Sequence, residues 1–257
     1  MNNMEKGFTL VIPLYNKVNA IRTTLDSVLN NHGEYPFKCI IVDDDSTDGS
    51  SEIAMEYDVK YPDTFMYIKK KHKGGHNPAY ARNLGIKLAE TEYIGFLDGD
   101  DELCEGFIDR GCTFLDEHPE YTMYGNGHKV RDLDDTITEW NYWGNNIHGL
   151  IDYMNGGGCL VCFCANIFRT ELAKNNLFSD ILCEDSIFMF KYVYQNPNVY
   201  IDSKFTDTFI YNKKYSEVNP WVEDRRYIIE TLIKEIPDIK YEFCIKDDNT
   251  VLYREKQ

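Results

Sequence analysis

Asp98-Gly99-Asp100-Asp101 sets two carboxylates on either side of one glycine, with a third adjoining. A tight turn there aims one or both of Asp98 and Asp100 at a hard divalent ion. Mg²⁺ or Mn²⁺ held by few carboxylates keeps positions open for phosphate oxygens. Two further polar clusters lie upstream, Pro13-Leu14-Tyr15-Asn16 and Asp43-Asp44-Asp45-Ser46-Thr47-Asp48. Any one acidic cluster alone reads as a solvated loop. Chemistry becomes the better reading because all three fall at the ends of predicted strands of one sheet, where massed carboxylates are costly unless a cation or donor groups offset them. The stretch from Asp44 to Gly49 begins like a calcium loop, but the twelfth position is Met55 rather than a bidentate Glu.

The elements that must position these clusters alternate regularly over the first hundred residues. Apolar runs at Phe8–Pro13, Cys39–Val42, Phe65–Ile68 and Tyr93–Leu97 predict buried strands. Helical periods at Val18–Asn30, Ser51–Val59 and Ala79–Ala89 separate them. That pattern predicts an α/β fold with a parallel sheet covered on both faces, whose ligands bind beyond the carboxyl ends of the strands. Beyond residue 102 the pattern is less regular. Helices are predicted at Phe107–Leu115, Ile147–Met154, Asp185–Tyr194 and about Val222–Glu235, and strands at Tyr121–Val130, Thr136–Trp140 and Val199–Tyr211. A terminal hairpin is predicted around Asp247-Asp248-Asn249.

Composition narrows the function classes. Lys plus Arg is 27 against 43 for Asp plus Glu, a net charge of −16 that disfavours non-specific binding to nucleic acid or anionic membrane. No apolar run approaches the ~20 residues of a membrane span, and the first residues carry no signal-like apolar core, so the expected setting is cytoplasmic. Most of the eight cysteines sit in apolar runs as small hydrophobes. In Cys159-Leu160-Val161-Cys162-Phe163-Cys164, read as a strand, Cys162 and Cys164 face one way and Cys159 the other, and no second half of a zinc site follows.

TLVIPLYNK, IIVDDDSTDGS and ARNLGIKLAETEYIGFLDGDD, in this order and spacing, resemble a family 2 glycosyltransferase of GT-A fold over about residues 8–101. Cys183-Glu184-Asp185 resembles the family's acceptor-side motif and extends the likeness to about 211. The resemblance implies a GT-A (Rossmann-like), mostly parallel central sheet flanked by helices, in a domain of residues 1–212. Its donor half would be about 8–101 and its acceptor half about 102–212, with a small C-terminal helix plus β-hairpin extension over 213–257. It also implies a nucleotide-diphosphate-sugar donor, commonly a UDP-sugar, a Mn²⁺ or Mg²⁺ ion and a single inverting displacement onto a carbohydrate or other hydroxyl acceptor.

Carried over residue by residue, Pro13 and Tyr15 would line the nucleobase and Asp44 would hydrogen-bond it. Arg82 would position the Asp98 loop and the donor, Asp98 would contact ribose or a metal-bound water, and Asp100 would ligate the metal. Asp185 would be the general base, with Glu184 orienting base or acceptor. Two departures stand out. Asp45 occupies a position where the family usually has Gly, and Lys213 and Lys214 stand where a His or Arg often assists the diphosphate. Trp140 and Trp143 are candidate stacking faces for an acceptor sugar, with core packing as the competing reading. A catalytically silent sugar-nucleotide or glycan-binding module on the same fold is the alternative function. Nucleotidyl transfer is disfavoured because Tyr15-Asn16-Lys17 replaces the Gly-rich loop expected after the first strand.

Overall fold

A computed structural model describes residues 4–31, 33–70, 77–141, 147–148, 163–205, 209–214, 225–245 and 251–256. The first half alternates β1 (Glu5–Leu14), α1 (Ile21–Leu29), β2 (Phe37–Asp43), α2 (Ser50–Lys60), β3 (Phe65–Lys69), α3 (Pro78–Leu88) and β4 (Thr91–Phe96). The strands order as β3-β2-β1-β4, all parallel. The chain thus winds outward from β1 to β3 and returns to the other side of β1, opening a crevice between the carboxyl ends of β1 and β4. That topological switch point is where sheets of this class bind ligands.

Local sequence explains the packing of these elements. In α1, Ile21, Thr24, Leu25 and Val28 recur at helical spacing and are the buried face. Asn77 caps α3 by accepting from the Ala79 amide at 2.9 Å, with Pro78 at the first helical position. Gly85 lets α3 approach β1 closely, since a Cβ there would meet Val11 Cγ1 at 2.4 Å.

The second half departs from simple alternation. It runs β5 (Glu102–Leu103), α4 (Phe107–Glu117), β6 (Met123–Asn126), β7 (His128–Arg131), β8 (Ile137–Trp140) and β9 (Ile147–His148). A 3₁₀ turn at Phe163–Ala165 then leads into β10 (Asn166–Arg169), followed by α5 (Thr170–Lys174), α6 (Glu184–Gln195), β11 (Asn198–Asp202) and β12 (Phe209–Asn212). α7 (Arg225–Glu235) and the hairpin β13 (Tyr241–Ile245) and β14 (Val251–Glu255) complete the described chain. The main sheet continues β4-β10-β6-β11-β9, with β10 antiparallel to both neighbours, while β5-β12-β7-β8 form a second sheet.

The central sheet is mostly parallel, as expected, with β10 entering antiparallel from the carboxyl edge of β4. Several other expectations are corrected here. The predicted strand Tyr121–Val130 divides at Gly127 into β6 and β7, which join different sheets. A Cβ at Gly127 would lie 2.3 Å from the Trp140 carbonyl oxygen, so the crossing requires glycine. The predicted strand Val199–Tyr211 likewise divides into β11 and β12. Ile147–His148 is a strand paired with β11 rather than the start of a helix, and 149–154 lie outside the described residues. Cys164 belongs to the 3₁₀ turn and not to a strand, while Cys159 and Cys162 lie outside the described residues.

An aromatic cluster joins the halves. Phe178 stacks on Phe188 at 4.1 Å between centroids, Phe96 meets Phe163 at 4.9 Å, and Phe168 packs edge-on to Phe188 at 5.5 Å. The rings dock α6 beneath β4 and β10. From α7, Ile228 and Leu232 enter the same core. Among the described residues, no helix is long and apolar enough to cross a membrane.

Two outcomes test this packing. Gly85→Ala gains up to ~1 kcal/mol of helix propensity but overpacks Val11, so we expect a net loss of about 1–3 kcal/mol, read by urea denaturation. His128 stacks on Phe209 at 5.2 Å, and burial lowers its pKa from 6.5 to about 4. The unfolded chain therefore takes up this proton first. Stability is unaffected above about pH 6.5 and falls progressively as the pH drops from there towards 4. His128→Phe should flatten that part of a melting-temperature–pH profile, and an unchanged slope would refute the assignment.

Candidate active site

Arg82, on the first half's last helix, is only 4% exposed and spans the crevice. Its Nη2 donates to Asp98 Oδ1 at 2.8 Å and its Nη1 to Glu184 Oε1 at 2.6 Å. The guanidinium also lies over the rings of Phe163 and Phe178, at 5.0 and 5.5 Å. Burial alone would lower the Arg82 pKa, but Asp98 and Glu184 outweigh it and hold the group above its usual value. Glu184 is raised, because burial and the neighbouring Asp185 exceed the pull of Arg82. Glu184 and Asp185 occupy the first turn of α6, and Asp185 Oδ1 accepts from the Ser186 amide at 2.6 Å.

The loops after β1 and β2 are stitched together by polar side chains. The amides of Asn16 and Lys17 donate to the hydroxyls of Ser46 and Ser50 at 3.0 and 2.7 Å. Asn16 Oδ1 accepts from the Thr47 amide, and Asp48 accepts from the Val18 amide. Beneath them Asp43 is fully buried. Burial raises its pKa, but hydrogen bonds from Ser51, Tyr67 and Ser46 outweigh that, and it lies below the usual carboxylate range. Asp44 is buried beside this network, while Tyr15 is 36% exposed and Pro13 is half-buried. All three lie at or just beyond the carboxyl ends of β1 and β2.

Four non-glycine residues among those described have positive φ, and three of them border this site: Asn16 at 51°, Asp45 at 65° and Cys183 at 56°. Strain gathered at one crevice is characteristic of functional loops. Asp45 adopts the conformation a glycine would supply, so this departure from the family pattern leaves the turn in place.

The acidic turn after β4 is held by partners remote in the chain. The Asp101 amide donates to the Asp98 carbonyl at 3.0 Å, closing the turn. Asp98 is 41% exposed at its side chain. Asp100 accepts from Lys17 Nζ at 2.8 Å. Asp101 is buried and accepts from the Asn212 amide at 3.1 Å, and the Asn212 side chain donates to the Asp100 carbonyl at 3.0 Å. Burial raises Asp100 against the pull of Lys17, and burial together with Asp98 and Asp100 raises Asp101 well above the carboxylate range. Ligand atoms of Asp98, Asp101 and Cys164 lie within 4.8 Å of one another. Among the described residues, Lys17 pairs with Asp100 and Arg82 with Asp98 and Glu184, while Asp101 is held by the Asn212 amide. This set of hard oxygen donors fits a hard divalent ion, while the Cys164 thiol is a softer donor than Mg²⁺ uses.

Sequence reasoning gave no site role to Lys17, Cys164 or Asn212 and saw Asp101 only as a member of the acidic run. Their partners are remote in the chain, Asn212 lying 111 residues from Asp101, and no local spacing marks such pairs. Lys213 donates to Asp132 at 2.6 Å on the second sheet. Trp140 is 56% exposed on β8, which excludes core packing, and Trp143 lies outside the described residues.

Comparison with known proteins accords with this geometry. The sequence model of the family described as Glycosyl transferase family 2 matches residues 9–176, and the chain belongs to that family. The minor teichoic acid biosynthesis protein GgaB of Bacillus subtilis is 39% identical over 112 residues, 43% of this chain and 12% of GgaB. The poly(ribitol-phosphate) beta-glucosyltransferase of Bacillus spizizenii is 36% identical over 111 residues, 43% of this chain and 17% of that protein. Those matches span well under a third of either relative's length. The S. aureus TarS 1-349 structure in complex with UDP superposes with a TM-score of 0.71 at 23% identity, covering 92% of this chain and 67% of that one. The likeness establishes the GT-A fold.

The Asp45 turn supplies a direct test. Asp45→Gly relieves the left-handed strain but adds unfolded-state freedom, so stability should stay within about 1 kcal/mol. Asp45→Val, β-branched at positive φ, should destabilise by about 1–3 kcal/mol. Equal melting temperatures for the two variants would contradict the turn geometry.

Proposed function

We propose that this domain is an inverting, metal-dependent glycosyltransferase that moves a sugar from a UDP-sugar to a hydroxyl acceptor. The observation that carries the reading is the Arg82 bridge, which holds the donor-side Asp98 and the acceptor-side Glu184 on one guanidinium. Two motifs about a hundred residues apart are thereby brought to one crevice, with Asp185 adjoining. Family membership and the UDP and UDP-GlcNAc complexes of the TarS structures support a uridine donor. The names of the teichoic acid relatives support a polymer hydroxyl as acceptor, in keeping with a cytoplasmic enzyme that meets the donor there.

In this reading the uracil lies against Pro13 and Tyr15 and hydrogen-bonds Asp44, while Asp98 contacts the ribose. Asp98 and Asp100, with Asp101 beside them, would hold Mn²⁺ or Mg²⁺, which when bound neutralises charge on the diphosphate. Asp185 takes the proton from the acceptor hydroxyl as its oxygen attacks the anomeric carbon. The bond from that carbon to the diphosphate oxygen breaks with its electron pair leaving on UDP, and configuration inverts. Arg82 keeps the donor turn in register, Glu184 keeps α6 in register, and the aromatic wall of Phe163 and Phe178 excludes water beneath them. Trp140 offers an exposed face to an acceptor sugar.

Asp185→Asn should lower transfer about 100- to 10,000-fold, in line with loss of a general base, while the UDP-induced thermal shift is kept. Undiminished transfer by Asp185→Asn would reject the base. A wild-type domain that is stabilised by UDP yet turns over with no acceptor would favour the silent-module alternative.

A further inference from the structure

The segment 177–183, which delivers Glu184 and Asp185 to the crevice, belongs to no helix or strand. Its one internal backbone hydrogen bond of note is from the Ile181 amide to the Ser179 carbonyl, at 3.0 Å. Side chains from two helices hold it instead. Asn83, the neighbour of Arg82 on α3, bonds Phe178 with both ends of its amide: Nδ2 donates to the Phe178 carbonyl and Oδ1 accepts from the Phe178 amide, each at 2.8 Å. On the opposite side, Glu235 near the end of α7 accepts from the Ser179 hydroxyl at 2.5 Å and from Lys191 of α6 at 3.1 Å. Asn77 adds a longer contact from Nδ2 to the Ile181 carbonyl, at 3.4 Å.

We propose that Asn83 and Glu235 are positioning residues that clamp segment 177–183 from two sides, so that the helix near the chain's C-terminal end sets the placement of the catalytic carboxylates. The inference rests on the transferase reading above. Arg82 fixes the Glu184 side chain, but the backbone that carries Asp185 must be fixed separately, because Cys183 just before it sits at a left-handed φ of 56°. The two-point amide clamp locks the orientation of Phe178, whose ring is also the floor under Arg82. Glu235 joins that segment to α6 itself, tying loop and helix to one carboxylate. Ion pair and hydroxyl converge on one oxygen, Oε2, so a small shift of α7 moves both.

The test compares Asn83→Ala, Glu235→Ala and Glu235→Gln in the full chain. A displaced base costs rate and leaves the nucleotide pocket alone. Both alanine variants should therefore lose about 10- to 100-fold in kcat with donor KM and the UDP-induced thermal shift unchanged. Glu235→Gln keeps an acceptor for Ser179 and should recover most of the loss, which a role limited to ion pairing with Lys191 would not allow. Hydrogen exchange of the amides at 178–183 should accelerate in the alanine variants. Unchanged kcat and exchange, or parallel losses of kcat, donor affinity and melting temperature, would overturn the clamp. If wild-type protein shows no transfer, the transferase reading fails, and the exchange rates alone then decide whether the clamp holds the segment.

Discussion

A single buried guanidinium is the constraint on which the arrangement of this molecule depends. Removing a charge of this kind from water costs several kcal/mol, and the cost is offset only by close, well-oriented counter-charges. Arg82 meets that condition by bonding a carboxylate from each half of the chain. Its aromatic surroundings lower the local dielectric and make both ion pairs stronger than they would be at a surface. Much of the fold can be understood as the support of that geometry. Gly85 lets α3 lie close on β1, the Phe178–Phe188 stack fixes α6, and the turn after β4 is closed by the Asp101 amide.

The other side of the crevice is built on a different principle. Between the loops after β1 and β2, serine, asparagine and aspartate side chains stand in for a backbone ladder, as in the bonds from the Asn16 and Lys17 amides to the Ser46 and Ser50 hydroxyls. Short polar side chains of this kind hold loops in conformations that helices and strands cannot supply. The left-handed residues Asn16 and Asp45 are affordable for the same reason, being over-determined by their neighbours. The network holds the two loops to each other at the carboxyl edge of the sheet.

How much of this was readable from sequence follows from where each interaction lies along the chain. The β1 to β4 alternation was legible because β1, β2 and β4 are continuous apolar runs buried on both faces and α1 carries a clear period, at Ile21, Leu25 and Val28. The second half was not, since its strands are only two to five residues long and two apolar runs change sheets midway, at Gly127 and between Asp202 and Phe209. The residues of the site were visible as types, and the departure at Asp45 was visible too, but not that its backbone already adopts φ of 65°. Pairings such as Lys17 with Asp100 or Asn83 with Phe178 join positions 83 and 95 residues apart. They are consequences of strand order, which a spacing rule cannot encode.

The charge balance of the crevice carries one more implication. Lys17 and Arg82 are each engaged with carboxylates, and Asp100, Asp101 and Glu184 are all held above their usual pKa values chiefly by burial. An anionic diphosphate approaching Asp98 and its neighbours meets like charge, in a protein whose net charge is already −16. Coulomb repulsion over ~4 Å in such surroundings amounts to about 4 kcal/mol per pair of charges at an effective dielectric near 20. On the proposed donor-binding reading, a nucleotide sugar gains little from these carboxylates as an isolated anion, and a cation bound with it would offset the cost of gathering them.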